Sequence, residues 1–154
     1  MKTITIDETI KSIHKMAIST KTVINIMYTS RIVEETISGV LKPYDLTIPQ
    51  YNVLRILRGQ KGNPANLSTL QERMIDRNSN TTRLVDKLIK KEWVSRRTCE
   101  KNRRKVEIFI TEKGLALLKE LDTITENNNE QILKNLSDSD LEQLNHLLDT
   151  LRTS

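Results

Sequence analysis

Twelve lysines and arginines crowd into residues 73–105 against four aspartates and glutamates, a net of +8 in a chain whose total is only +5. Everything outside that window therefore sums to −3. The densest stretch is residues 96–105, where Arg96, Arg97, Lys101, Arg103, Arg104 and Lys105 place six cations in ten residues. Their mutual repulsion disfavours the free fold, and a polyanion removes that cost. Just upstream lie Arg77, Asn78, Ser79, Asn80, Thr82, Arg83 and Lys87. Short amides and hydroxyls hydrogen-bond base edges and phosphates, and arginine can do so with two donors at once. One basic segment on a neutral-to-acidic scaffold is the charge pattern expected of a duplex DNA reader.

Other chemistries find little support. The two histidines, His14 and His146, lie far apart and in no metal-ligand spacing. With four glycines in all there is no glycine-rich phosphate loop, and no nucleophile sits beside a base. Neither catalysis, metal nor cofactor is expected. One Trp, one Phe and three Tyr are too few for a surface that stacks single-stranded bases. The single cysteine, Cys99, excludes an intrachain disulfide and fits a reducing cytoplasm. Its cationic neighbours would favour oxidation, although an ordinary residue of the basic hairpin is the favoured reading. The first twenty residues hold no apolar run of the signal-peptide kind, and no stretch suits a membrane span, so a soluble cytoplasmic protein is expected.

These side chains need elements to position them. Residues 7–42 read as helical in two pieces, with a break at Ser19-Thr20 and a stop at Pro43. Thr47 with Gln50 forms a capping-box pattern for a helix to about residue 58, with Tyr51, Leu54 and Leu57 inward. Ser68 with Gln71 looks like a second capping box, for a short helix to about residue 75. The next helix is expected from residue 78 or 79 to about 91. Leu84, Val85, Leu88 and Ile89 form its buried side, and Asn80, Arg83, Lys87 and Lys91 a polar stripe. A strand from Trp93, a tip at 99–103 and a return strand over 104–110 make a hairpin, with Val106, Ile108 and Ile110 alternating. Thr111 caps a helix over 112–134, and Ser137 with the residues after it caps a last one carrying Leu141, Leu144, Leu147, Leu148 and Leu151. The fold class expected is mainly α with a small β-hairpin wing, a winged helix–turn–helix. Lys101 and Arg103 stand best at the wing tip, and Arg104 points either outward or back to brace it.

This arrangement resembles the MarR (multiple antibiotic resistance regulator) family of bacterial transcription factors over roughly residues 22–152. The similarity is carried by residues 41–57, by LSTLQERM at 67–74, by residues 80–96, and by KNRRKVEIFITEKG at 101–114. The last segment is similar to the family's wing signature, an Asp-x-Arg followed by a strand and Leu-Thr-x-x-Gly. Here it reads Asn102-Arg103-Arg104 and then Ile110-Thr111-Glu112-Lys113-Gly114. With Asn102 in the family's Asp position, the usual Asp–Arg pair cannot form, though Asn can still accept a hydrogen bond.

The resemblance implies a sequence-specific regulator of double-stranded DNA, most often a repressor. DNA contacts would come from Arg77, Asn78, Ser79, Asn80, Thr82, Arg83 and Lys87, and in the wing from Arg97, Lys101, Asn102, Arg103 and Arg104. It further implies a homodimer on a pseudo-palindromic operator, with residues 1–46 and 112–154 as the helical dimerisation region. Residues 47–111 would be the winged helix–turn–helix, all within one integrated domain. A small, often aromatic or phenolic, effector would bind near the junction of these parts. Its contact residues are not assigned by the sequence; Tyr28, Tyr51 and His14 are candidate linings, with core packing the favoured role of each. Two other readings use the same basic patch: a non-specific architectural DNA binder, and a winged-helix module that docks a protein partner.

Overall fold

The computed structural model describes all 154 residues. Seven α-helices and one hairpin follow in the order α1 (Ile6–Thr9), α2 (Ile18–Leu41), α3 (Ile48–Gly59), α4 (Leu67–Arg73), α5 (Thr81–Lys90), β1 (Val94–Thr98), β2 (Val106–Ile110), α6 (Glu112–Leu133) and α7 (Asp138–Leu151). A 3-10 turn, Lys42–Tyr44, with Pro43 inside it, ends α2. No helix is long and apolar enough to cross a membrane.

The core lies where α3, α4, α5 and the hairpin meet the ends of α2 and α6. Leu41, Leu54, Leu57, Leu70, Leu88, Ile108, Leu118 and Leu121 are fully buried there. Truncating any one of these leucines to Ala is expected to cost about 2–5 kcal/mol, because the cavity left behind collapses only in part. Gly114 is obligatory at the start of α6, since a Cβ there would sit 2.4 Å from the Trp93 carbonyl oxygen.

The helix starts follow side-chain capping. Thr47 and Gln50 form the expected box, with Gln50 N donating to Thr47 Oγ1 at 3.3 Å and Thr47 N to Gln50 Oε1 at 3.1 Å. Thr111 caps α6, and Ser137 with Asp140 caps α7. Besides β2, which begins at Val106 and not at 104, three boundaries depart from the sequence expectation. The N-terminal break spans residues 10–17, with Lys11 left-handed at φ 55°, and Ser19-Thr20 lie in the first turn of α2. The short α1 before it is capped by Thr5 and Glu8 and tied to α2 by an Asp7–Lys21 pair. The cap of α4 is Asn66, two residues before Ser68, with Thr69 N donating to Asn66 Oδ1 at 2.8 Å. The preceding Ala65 exchanges two backbone hydrogen bonds with Ile108 of β2, and this fixes where α4 begins. Finally, α5 starts at Thr81, not at 78 or 79.

The hairpin is antiparallel, in the register Val94↔Ile110, Arg96↔Ile108 and Thr98↔Val106 on one face and Ser95↔Phe109 and Arg97↔Glu107 on the other. A six-residue turn of the Schellman kind leads α5 into it: Trp93 N donates to Leu88 O and Glu92 N to Ile89 O, with Glu92 left-handed at φ 63°. The Glu92 carbonyl also accepts from Thr111 Oγ1 at 2.7 Å, so the ends of α5 and β2 are held together.

Candidate nucleic-acid interface

The loop before α5 is built by polar side chains. Ile75 N donates to Asn52 Oδ1 at 2.9 Å, and Asn78 N to Asp76 Oδ1 at 2.9 Å. Gln71 of α4 spans the turn, donating from Nε2 to Arg77 O at 3.0 Å and accepting from the hydroxyl of Thr81, which is buried. Asn52 and Asp76 are positioning residues that the sequence did not single out, and Gln71, expected as a capping partner of Ser68, holds this turn instead. All three are common polar types, and for Asn52 and Gln71 only partners outside their own helix reveal the role.

Asn80 closes the turn as N-cap of α5, its Oδ1 accepting from Arg83 N at 3.1 Å. Beyond it, Thr82, Arg83, Asp86, Lys87 and Lys90 are the exposed positions of the helix. This arc departs from the expected stripe at one end. Lys91 turns back to the α2–α3 connection, where it pairs with Asp45 at 3.2 Å and lies 5.0 Å from the centroid of Trp93. The outer position belongs to Lys90. Arg77 and Asn78 are exposed on the loop. Ser79 differs from the other expected contacts, for its hydroxyl is shielded from solvent and has no hydrogen-bond partner.

In the wing, Lys101, Asn102, Arg103, Arg104 and Lys105 are all exposed at the tip. None of its four cations takes part in an ion pair. Asn102 shapes the turn: its Oδ1 accepts from Arg104 N at 3.1 Å and its carbonyl from Lys105 N at 2.9 Å. The amide thus takes up the turn-making part of a carboxylate without its charge. Bracing falls to Arg97, whose Nε lies 2.5 Å from Glu107 Oε2 and whose guanidinium stands 4.7 Å from the Phe109 centroid. The hydrogen bond to Glu107 raises the pKa of Arg97, and the same bond lowers that of Glu107. Cys99 is half-buried, its N–H continuing the ladder to Lys105 O at 3.0 Å.

Two short helices joined by a polar turn, the second with a cationic outer arc and followed by a cationic hairpin, define a winged helix–turn–helix. Residues 46–106 match the sequence model of the MarR family. That segment, which spans the two short helices and the wing as far as the start of β2, carries the chain's likeness to MarR-family winged helix–turn–helix proteins. It is 28% identical over 121 residues to the HTH-type transcriptional regulator PecS of Dickeya dadantii (strain 3937), covering 77% of this chain and 72% of that protein. Among solved structures it is similar to a mutant MarR from E. coli complexed with operator DNA, with TM-score 0.75, 23% identity, and 83% and 91% of the two chains covered. It is also similar to Bordetella bronchiseptica BpsR, in a structure on regulation of DNA binding by 6-hydroxynicotinic acid. There the TM-score is 0.73, the identity 19%, and the coverage 83% and 96%.

Proposed function

We propose that this chain is a sequence-specific double-stranded DNA-binding transcriptional regulator, acting as a homodimeric repressor on a pseudo-palindromic operator. The observation that carries the reading is the set of unpaired, exposed cations shared by the α5 arc and the wing tip: Arg83, Lys87 and Lys90 with Lys101, Arg103, Arg104 and Lys105. Residues 47–111 act as the DNA-binding part. Arg83 with Asn80 and Thr82 addresses base edges in the major groove, and Lys87 and the tip cations address phosphates.

Residues 1–46 and 112–154 act as the dimerisation region. Support comes from α7, which buries no residue against its own chain, and from a groove of about 760 Å³ between α2, α6 and α7. Ile18, Ile26, Leu133, Leu144 and Leu148 line that groove, and a second copy is the occupant we assign to it. A two-fold dimer then sets the two α5 helices at half-sites about 34–36 Å apart. A small aromatic or phenolic effector, by analogy with the ligand named for BpsR, lowers DNA affinity by favouring a dimer geometry that misfits the operator.

Selection of random duplex DNA on the purified protein, followed by titration of the enriched sequence at two salt concentrations, tests the reading. An inverted repeat with half-sites one turn apart and a steep salt dependence is expected. Retention without enrichment would establish a non-specific architectural binder instead. Failure to retain any duplex at low salt would leave the basic patch for a protein partner.

A further inference from the structure

Arg96 and Arg97 are neighbours in sequence, yet the hairpin register sends them to opposite faces. Arg97 shares its face with Glu107 and Phe109. Arg96 sits opposite Ile108, which is fully buried, so its side chain leaves β1 on the core-facing side. It emerges at the seam between the hairpin and α5, where Nη1 lies 3.1 Å from Asp86 Oδ1. Asp86 is the one carboxylate on the exposed arc of α5. Both side chains stay about half exposed, at 47% and 49%, so water reaches them.

A helix in one groove and a wing in the next must straddle the phosphate strand between them. On the DNA-binding reading above, the seam between α5 and the hairpin is the part of the protein that faces that strand. A bare carboxylate there would repel it, whereas a guanidinium offers five N–H donors in a rigid fork, of which Asp86 takes one. We propose that Arg96 is a phosphate contact at this seam and that Asp86 is its positioning residue, holding the guanidinium so that its free edge meets the phosphate. The assignment rests on the DNA-binding reading above.

The sign of one substitution decides the matter. Asp86→Ala removes a negative charge from the DNA-facing surface, so charge alone predicts tighter binding. Positioning predicts weaker binding, because Arg96 is released into many rotamers. In an Arg96→Ala background the carboxylate has nothing left to orient, and Asp86→Ala then tightens binding. The experiment is an equilibrium titration of a fluorescent random-sequence duplex at two salt concentrations with the full chain, the single variants Arg96→Ala, Asp86→Ala and Asp86→Glu, and the double alanine variant.

Arg96→Ala should weaken binding roughly tenfold and lower the salt slope measurably, though by less than the roughly 0.9 of an unpaired phosphate contact, because Asp86 shares its charge. Asp86→Ala should weaken it a few-fold, and Asp86→Glu should restore most of the loss. Melting of the free proteins should show little coupling between the two, as exposed ion pairs contribute little to stability. A merely structural pair would therefore move neither the slope nor the sign. Tighter binding by Asp86→Ala in both backgrounds, or an unchanged slope in Arg96→Ala, overturns the proposal while leaving the DNA-binding reading intact. A wild-type protein that binds no duplex at low salt overturns both.

Discussion

Arg97 and Arg103 are the same residue type in the same hairpin, and sequence gives no reason to separate them. Their surroundings do. Arg97 spends its guanidinium on Glu107 and Phe109, while Arg103 stands unpaired at the tip. A cation already neutralised within the protein releases few counterions from DNA, because its charge is shared before binding begins. We therefore expect Arg103→Ala to lower the salt slope of duplex binding by about one unit, and Arg97→Ala to lower it by clearly less. Affinity titrations across a salt series compare the two directly, and equal slopes would show that the Glu107 pair opens on DNA. Lys91 teaches the same lesson at the end of α5. Its spacing fits the polar stripe, but Asp45, 46 residues away in the chain, claims it together with the nearby Trp93, and no local pattern announces the Asp45 partner.

At the scale of elements, most of the fold was legible. The boxes at Thr47–Gln50 and the caps at Thr111 and Ser137 lie where the pattern of small polar residues puts them, because capping is a local interaction within four residues. The errors fall where a distant partner intervenes. Ser68–Gln71 satisfies the capping-box pattern, but the Ala65–Ile108 bridge starts α4 from Asn66 and frees Gln71 to hold the turn before α5. Asn80 shows how a site residue and an element boundary compete for one side chain. Its Oδ1 is engaged by Arg83 N, leaving the amide donor for the base contact proposed above. Asn80→Ala should thus cost about 1 kcal/mol of stability as a lost N-cap, as well as relaxing base preference. Asn80→Asp should keep the cap and the melting temperature but lose the amide donor. Thermal melting alongside duplex selection separates the two roles. If Asn80→Asp retained full base preference, capping would be the whole of its contribution.

The whole molecule poses a problem that one protomer does not solve. Ile18 is 78% exposed and Leu144 40% exposed, although both lie on helices with the apolar spacing of packed elements. Apolar patches of this extent on a soluble chain mark surfaces that meet a partner. The sequence carried half of this argument, since the periodicity of α2 and α7 was plain, but whether the two faces closed on each other within one chain was not. The structure leaves them open around the groove, and a second copy covers both faces at once in the dimer proposed above. Ile18→Arg or Leu144→Arg puts a charge into that seam at positions already in contact with solvent, so the protomer should stay folded by circular dichroism. Sedimentation should then show the mass of a dimer for the wild type and of a monomer for either variant. Duplex affinity should fall with it, although neither residue lies near α5 or the wing. Two linked recognition helices bind the second half-site at an effective concentration that a lone protomer lacks, an advantage of roughly 10²–10⁴-fold when the geometry fits. A wild-type monomer, or variants that remain dimers with unchanged affinity, would place the interface elsewhere and leave these apolar faces to a different partner.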